Sequence, residues 1–203
     1  MERANVIPLH TPAAAPAERP RWRLAELSGR LVEIAGRGAA TPLTAAIGLV
    51  VEAQRAGEPV AWVAAHAATF YPPDAADAGV DLAALPVVRV SGARAAARAA
   101  DHLVRSGAFA LVVVDLGARA AIPMAMQGRL VGLAQRHHAA IVCLTDTPAD
   151  APSLGSMVSL RAVALRQPAG RGRFRCKLAV VKDKRRGPGW SHAEVVRGPA
   201  GLR

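Results

Sequence analysis

Aromatic residues make up only 3% of this 203-residue chain. That scarcity argues against a platform that holds single strands by stacking bases on rings. Cysteine is scarcer still, with Cys143 and Cys176 the only two. No disulfide framework is possible on that basis, and a reducing cytoplasm is the expected setting. No apolar run approaches the roughly 18 residues that a bilayer crossing requires, so no transmembrane helix is expected. The opening stretch MERANVIPLHTPAAAPAERP has no secretory hydrophobic segment, and no export signal is expected. What is plentiful is core material: 52% of the residues are hydrophobic and 20% charged, enough for one buried core.

Acidic residues are missing from one region in particular. The net charge is +11, yet residues 1–160 are nearly balanced. Between 161 and 186 stand Arg161, Arg166, Arg171, Arg173, Arg175, Lys177, Lys182, Lys184, Arg185 and Arg186 against Asp183 alone. A surface serving solubility would mix both signs. The one-sided run favours a polyanion contact over a merely solvated face.

Pro8, Pro12, Pro16 and Pro20 forbid a helix in residues 1–21, which read as a flexible arm with Val6, Ile7 and Leu9 as its apolar anchor. From residue 22 strands and helices alternate. Leu31–Ala35, Val60–Ala64, Val87–Val90, Phe109–Val114 and Ala140–Leu144 read as strands. Thr44–Arg55, 93–105 and 124–137 read as helices, the second with Arg94, Arg98, Asp101 and Arg105 along one face. Such alternation predicts an α/β fold with a mostly parallel sheet and helices on both sides. Met157–Arg166 and Phe174–Lys182 then read as a hairpin. In its second strand Phe174, Cys176, Leu178 and Val180 alternate with Arg173, Arg175 and Lys177, so the cations should face solvent and Cys176 the core. The expected organisation is an arm at 1–21, a domain at 22–197 and a short tail at 198–203.

A family resemblance lies in the order of short motifs. Gly29–Gly36 resembles the strand leading into the phosphate loop of the bacterial recombinase RecA. Glu52–Gly57, Ala78–Leu82, Leu103–Ala108, Val112–Asp115 and Val180–Lys184 match further motifs of that core in sequence. The resemblance implies a RecA-like core spanning about residues 29–197.

The departures bear on chemistry. A working phosphate loop reads G-x-x-x-x-G-K-[ST]. Here the equivalent stretch runs from Gly36 to Thr44, with Thr41 for the second glycine, Pro42 for the lysine and Leu43 for the magnesium-binding hydroxyl. Proline removes both the cation and a backbone donor. Thr44 reads as a helix N-terminal residue. The carboxylate that would activate water aligns with His66, and Asp115 matches the magnesium-side aspartate, here a relic. His137 and His138 are adjacent and point about 100° apart on a helix, so they do not form a chelating pair. No cofactor, metal site or nucleophile–base pair is expected, and the chain reads as a non-enzyme.

A recombinase-like core without ATPase chemistry resembles two known types. One is the ImuA type, accessory to error-prone translesion synthesis in the SOS response; the other is the SulA type, which inhibits the tubulin-like division protein. The full run of motifs and the basic hairpin favour the first. This resemblance implies a polymerase-like partner of the ImuB type and the recombinase itself as a second partner; the basic hairpin implies non-specific contact with DNA, expected to be single-stranded, and the expected place is the cytoplasm near the nucleoid.

Overall fold

The computed structural model describes residues 21–37, 41–65, 70–118, 121–170 and 172–197. The expectations for residues 1–20, His66, Arg171 and 198–203 fall outside these, as does the side chain of Thr41. Among the described residues the helices are α1 (Leu24–Leu27), α2 (Thr41–Arg55), α3 (Pro72–Asp77), α4 (Gly92–Arg105) and α5 (Met124–His137). The strands are β1 (Arg30–Ala35), β2 (Val60–Ala64), β3 (Val87–Arg89), β4 (Leu111–Gly117), β5 (Ala140–Thr145), β6 (Leu160–Pro168), β7 (Arg173–Asp183) and β8 (Ser191–Arg197).

All eight strands form one sheet in the order β3-β2-β4-β5-β1-β6-β7-β8. The pairs from β3 to β6 are parallel, and β6–β7 and β7–β8 are antiparallel. The most apolar segments take the middle: β1, β2 and β5 are buried along their whole length, as strands covered on both faces must be. Side chains alternate between the faces. Val32, Ile34, Trp62, Val113 and Val142 point to one core, shared with α1, α2 and α3. Leu31, Val63, Val112, Val114 and Ile141 point to the other, under α4 and α5. The α/β architecture with helices on both faces is the one the sequence implies.

Three elements escape the sequence pattern. α1 has four residues, too few to show a period. α3 opens on Pro72-Pro73, which reads as a breaker although proline is tolerated in a first helical turn. β8 is held by its pairing with β7, from Arg173↔Arg197 to Ala179↔Ser191; Gly187 and Gly189, at φ 79° and 101°, turn the chain into it. The expected hairpin is therefore a three-stranded antiparallel unit. α2 begins at Thr41, ahead of the expected Thr44, because Pro42 sits within its first turn. Among the described residues no helix is long and apolar enough to cross a membrane.

Candidate nucleic-acid interface

Period-two alternation in β7 places Cys176, Leu178 and Val180 in buried positions. Leu178 and Val180 belong to the core shared with α2. Arg173, Arg175 and Lys177 therefore project to the opposite side, the side of α4 and α5. Those helices stop short of them: α4 packs on β2 and β4, and α5 on β1 and β5. The register aligns Leu165, Lys177 and Ala193 in one row and Gln167, Arg175 and Val195 in the next. The result is an open sheet face, with Arg173 and Arg175 exposed and Leu165, Val181 and Val195 exposed beside them.

The remaining described cations of the 161–186 run do not extend this patch. Arg161 is buried, and its Nε lies 3.5 Å from Glu33 Oε2. Arg166 points to the other side of the sheet, its guanidinium 3.3 Å above the Phe174 ring in a cation–π contact. Lys182 is half-buried and donates to the Gly155 carbonyl. Burial lowers its pKa, and the nearby Lys184 and Arg161 push the same way. Lys184, Arg185 and Arg186 follow the far end of β7, about 20 Å along the strand from Lys177. There they donate to Ser156 O, Ser28 O and Glu26 Oε1. The nine described cations of this run thus separate into an open face, a buried ion pair, a cation–π contact on the opposite side, a half-buried lysine and a structural turn. The cause is the strand itself, which sends alternate residues to opposite sides and carries its two ends far apart.

The buried pair was not legible as such. Glu33 sits in mid-strand with no exposure. It accepts from Thr145 Oγ1 at 3.1 Å, Ser153 Oγ at 2.9 Å and Leu154 N at 2.9 Å. Arg161 donates to Ala149 O and Pro148 O, and Gln127 Nε2 to Leu154 O. Together these groups tie down the connection between β5 and β6. A lone carboxylate within the apolar run Leu31–Ala35 was the available signal. On the α1–α2 side, Arg30 donates to Asp183 Oδ1 at 2.6 Å. Burial lowers the pKa of Arg30. For Asp183 burial acts upward, but hydrogen bonds from Arg185 N–H, Arg30 and Trp190 outweigh it and hold the carboxyl below its usual range.

In the stretch read as a phosphate-loop remnant, Gly36 follows β1 and donates its N–H to Thr145 O. A Cβ added at Gly36 would lie 2.9 Å from Pro42 Cγ and 3.2 Å from Ala164 O. The Pro42 ring is thus packed against the mouth of β1, and Leu43 packs on the core beside it. Thr44 hydrogen-bonds the Cys176 thiol, whose pKa is raised by burial despite that bond. Cys143 is fully buried, which pushes its thiol up as well. Asp115 is buried where β4 runs between Ala64 of β2 and Leu144 of β5. Among the described residues no group of His, Cys, Asp or Glu could hold a metal ion.

Comparison with known proteins agrees with this architecture. The model of the RecA N-terminal domain matches residues 26–143, more than half of the chain. The chain is 41% identical over 112 residues to Protein RecA of Nocardioides sp., covering 53% of this chain and 32% of that protein. Against Protein RecA of Thermotoga maritima it is 38% identical over 112 residues, 53% of this chain and 31% of the relative. The match to Protein RecA of Picosynechococcus sp. is longer, 31% identical over 178 residues, 86% of this chain and 45% of the relative. The chain thus spans less than half the length of these relatives. With its sheet order, its two helix-covered cores and this match in hand, the chain belongs to the RecA N-terminal domain family.

Proposed function

We propose that this chain is a non-catalytic, RecA-like accessory protein of error-prone translesion DNA synthesis in the SOS response. On this reading it binds DNA through the backbone and holds a polymerase-like partner. The observation that carries the reading is Pro42, whose ring packs against Gly36 where a phosphate loop would leave room for a triphosphate. A proline there supplies neither the lysine charge nor the backbone donor that cradles phosphate. The open β6–β8 face, with Arg173, Arg175 and Lys177, supports a contact to phosphates that positions the protein without reading bases.

Three measurements test the reading. Calorimetry with magnesium-ATP is expected to show no micromolar binding, and Pro42→Lys is expected not to restore it; a micromolar dissociation constant for the unsubstituted chain overturns the non-catalytic assignment. Replacing Arg173, Arg175 and Lys177 by glutamate is expected to weaken single-stranded DNA binding at least tenfold with little change in Tm. With about four phosphate contacts, the log–log salt slope of the parent should be about −3. Finally, the full chain is expected to co-purify from damaged cells with a polymerase-like subunit. Retention of the tubulin-like division protein instead would assign it to the SulA type.

A further inference from the structure

The helices that cover the two faces of the sheet differ in the sign of their charge. On one face, α1, α2 and α3 carry Glu26, Glu52, Asp74 and Asp77 against Arg55. On the other, α4 and α5 carry Arg94, Arg98, Arg105, Arg129 and Arg136 against Asp101 alone. The sequence order hides this, because acidic α1–α3 and basic α4–α5 cancel within the nearly neutral first 160 residues.

Geometry makes the basic set a surface. Arg94, Arg98 and Arg105 fall on one face of α4 within 12 residues, a track of about 16 Å at 1.5 Å per residue. Arg129 meets that track from α5: it and Arg105 both pair with Asp101, at 2.6 and 2.5 Å. Asp101 is thereby engaged from both helices, while Arg94 and Arg98 stand exposed. This surface lies on the same side of the sheet as Arg173, Arg175 and Lys177. Four strand spacings separate β4, beneath α4, from β7, about 19 Å. The ground between them is α5, which contains no acidic residue and shows solvent Met124, Ala125, Gly132, Gln135 and Arg136, and beside it the β5–β6 connection, held on this side by Glu33 and Arg161 and carrying the exposed Asp146 and Asp150.

We infer that the α4–α5 surface is a second nucleic-acid contact, so that one single strand runs from the open β7 face across α5 onto α4. This rests on the nucleic-acid reading above and adds a site to it. The ligand is a phosphate backbone, because the charge exposed on α4 and α5 is spread in a line and, with Asp101 engaged by Arg105 and Arg129, is basic. An acidic peptide docking between helices would need a row of apolar anchors, and the outward residues of α5 include one large apolar side chain, Met124, not a row.

The inference makes affinity depend on strand length in a way that one patch would not. Fluorescence anisotropy of labelled oligo-dT is to be measured with the full chain, using strands of 5 and 20 nucleotides. The double variant Arg94→Glu, Arg98→Glu alters two exposed side chains, and its Tm is expected to match the parent. It should bind the 20-mer at least about tenfold more weakly, and its salt slope should shrink by about 1.4, two phosphate contacts at 0.7 each. Its binding of the 5-mer, whose few phosphates the β7 face alone can engage, should change less than about twofold by the same count of contacts. A 20-mer affinity and slope equal to the parent's would overturn the second contact while leaving the β7 contact intact. Failure of the unsubstituted chain to bind either strand overturns both readings. Binding to vesicles rich in anionic lipid without binding to the 20-mer would assign the surface to a membrane and likewise overturn the inference.

Discussion

The α1–α3 side and the α4–α5 side of this sheet are built alike inside and oppositely outside. Each takes alternate residues of the same strands into an apolar core. Each also buries one ion pair that begins in β1: Arg30–Asp183 on the first side, Glu33–Arg161 on the second. Outside, one helix layer is acidic and the other basic. Interior alternation is what the fold requires, and sequences that satisfy it leave the solvent faces unconstrained. A difference confined to those faces is therefore where function is to be sought in a chain that shares its core with a large family.

The comparison can be broken from the inside first. Glu33→Gln leaves the buried Arg161 guanidinium without a counter-charge and weakens the anchors of the β5–β6 connection. Loss of one partner of a buried pair costs about 3–5 kcal/mol, read as a lower urea midpoint. The paired replacement Glu33→Leu, Arg161→Met should recover much of that loss, since it removes both charges together. A full loss in the double variant would mean that the anchoring hydrogen bonds, and not the ion pair, matter most.

On the other side the corresponding effect depends on pH. The Asp183 carboxyl is held below its usual range, so the folded state binds its proton less readily than the unfolded chain. Its contribution is complete above the unfolded value of about 3.9 and is lost as pH falls through the lower folded value. Acid unfolding below about pH 4 should therefore be blunted in Asp183→Asn, which is less stable than the parent at pH 7. Parallel acid-unfolding curves for parent and variant would remove Asp183 from this role.

Two smaller effects sharpen the charge contrast. Asp101→Asn releases Arg105 and Arg129, whose side chains are 47% and 61% exposed. The stability change should be no more than about 1 kcal/mol, because solvent screens such pairs. Binding of the dT 20-mer should nevertheless tighten, with a steeper salt slope. The smallest effect belongs to the acidic side: Asp74→Asn with Asp77→Asn raises the net charge by two, against one for Asp101→Asn, yet should change 20-mer affinity by less than about twofold. Equal gains from both variants would mean that net charge, and not the basic face, drives binding.

Much of the parallel region was legible because its signals are local. Val60–Ala64 and the helix at 124–137 are found where the apolar pattern put them. β4 is displaced: it runs Leu111–Gly117, where Phe109–Val114 was expected. Pairing with Ala64 and Leu144 draws Asp115 into the ladder, a contribution from neighbouring strands. For the candidate site the alternation of Arg173, Arg175 and Lys177 with Cys176 and Leu178 was readable, since period two needs no partner. The fates of Arg161 and of Lys184–Arg186 were not, because each is set by a group distant in sequence: Glu33 for the first, Ser156, Ser28 and Glu26 for the others.

By itself, then, the sequence determined most of the element types, the placing of helices on both sides of the sheet and the presence of a proline at position 42. The first two follow from periodicity and from side-chain volume and polarity. Tertiary structure alone decided which charges share a surface. Sheet order brings β1 between β5 and β6, so Glu33 meets Arg161 across 128 positions of chain, and α4 and α5 come to lie on one side with the odd-numbered cations of β7. Electrostatic interaction depends on distance in space and on exclusion of water, and neither quantity is a property of position along a chain.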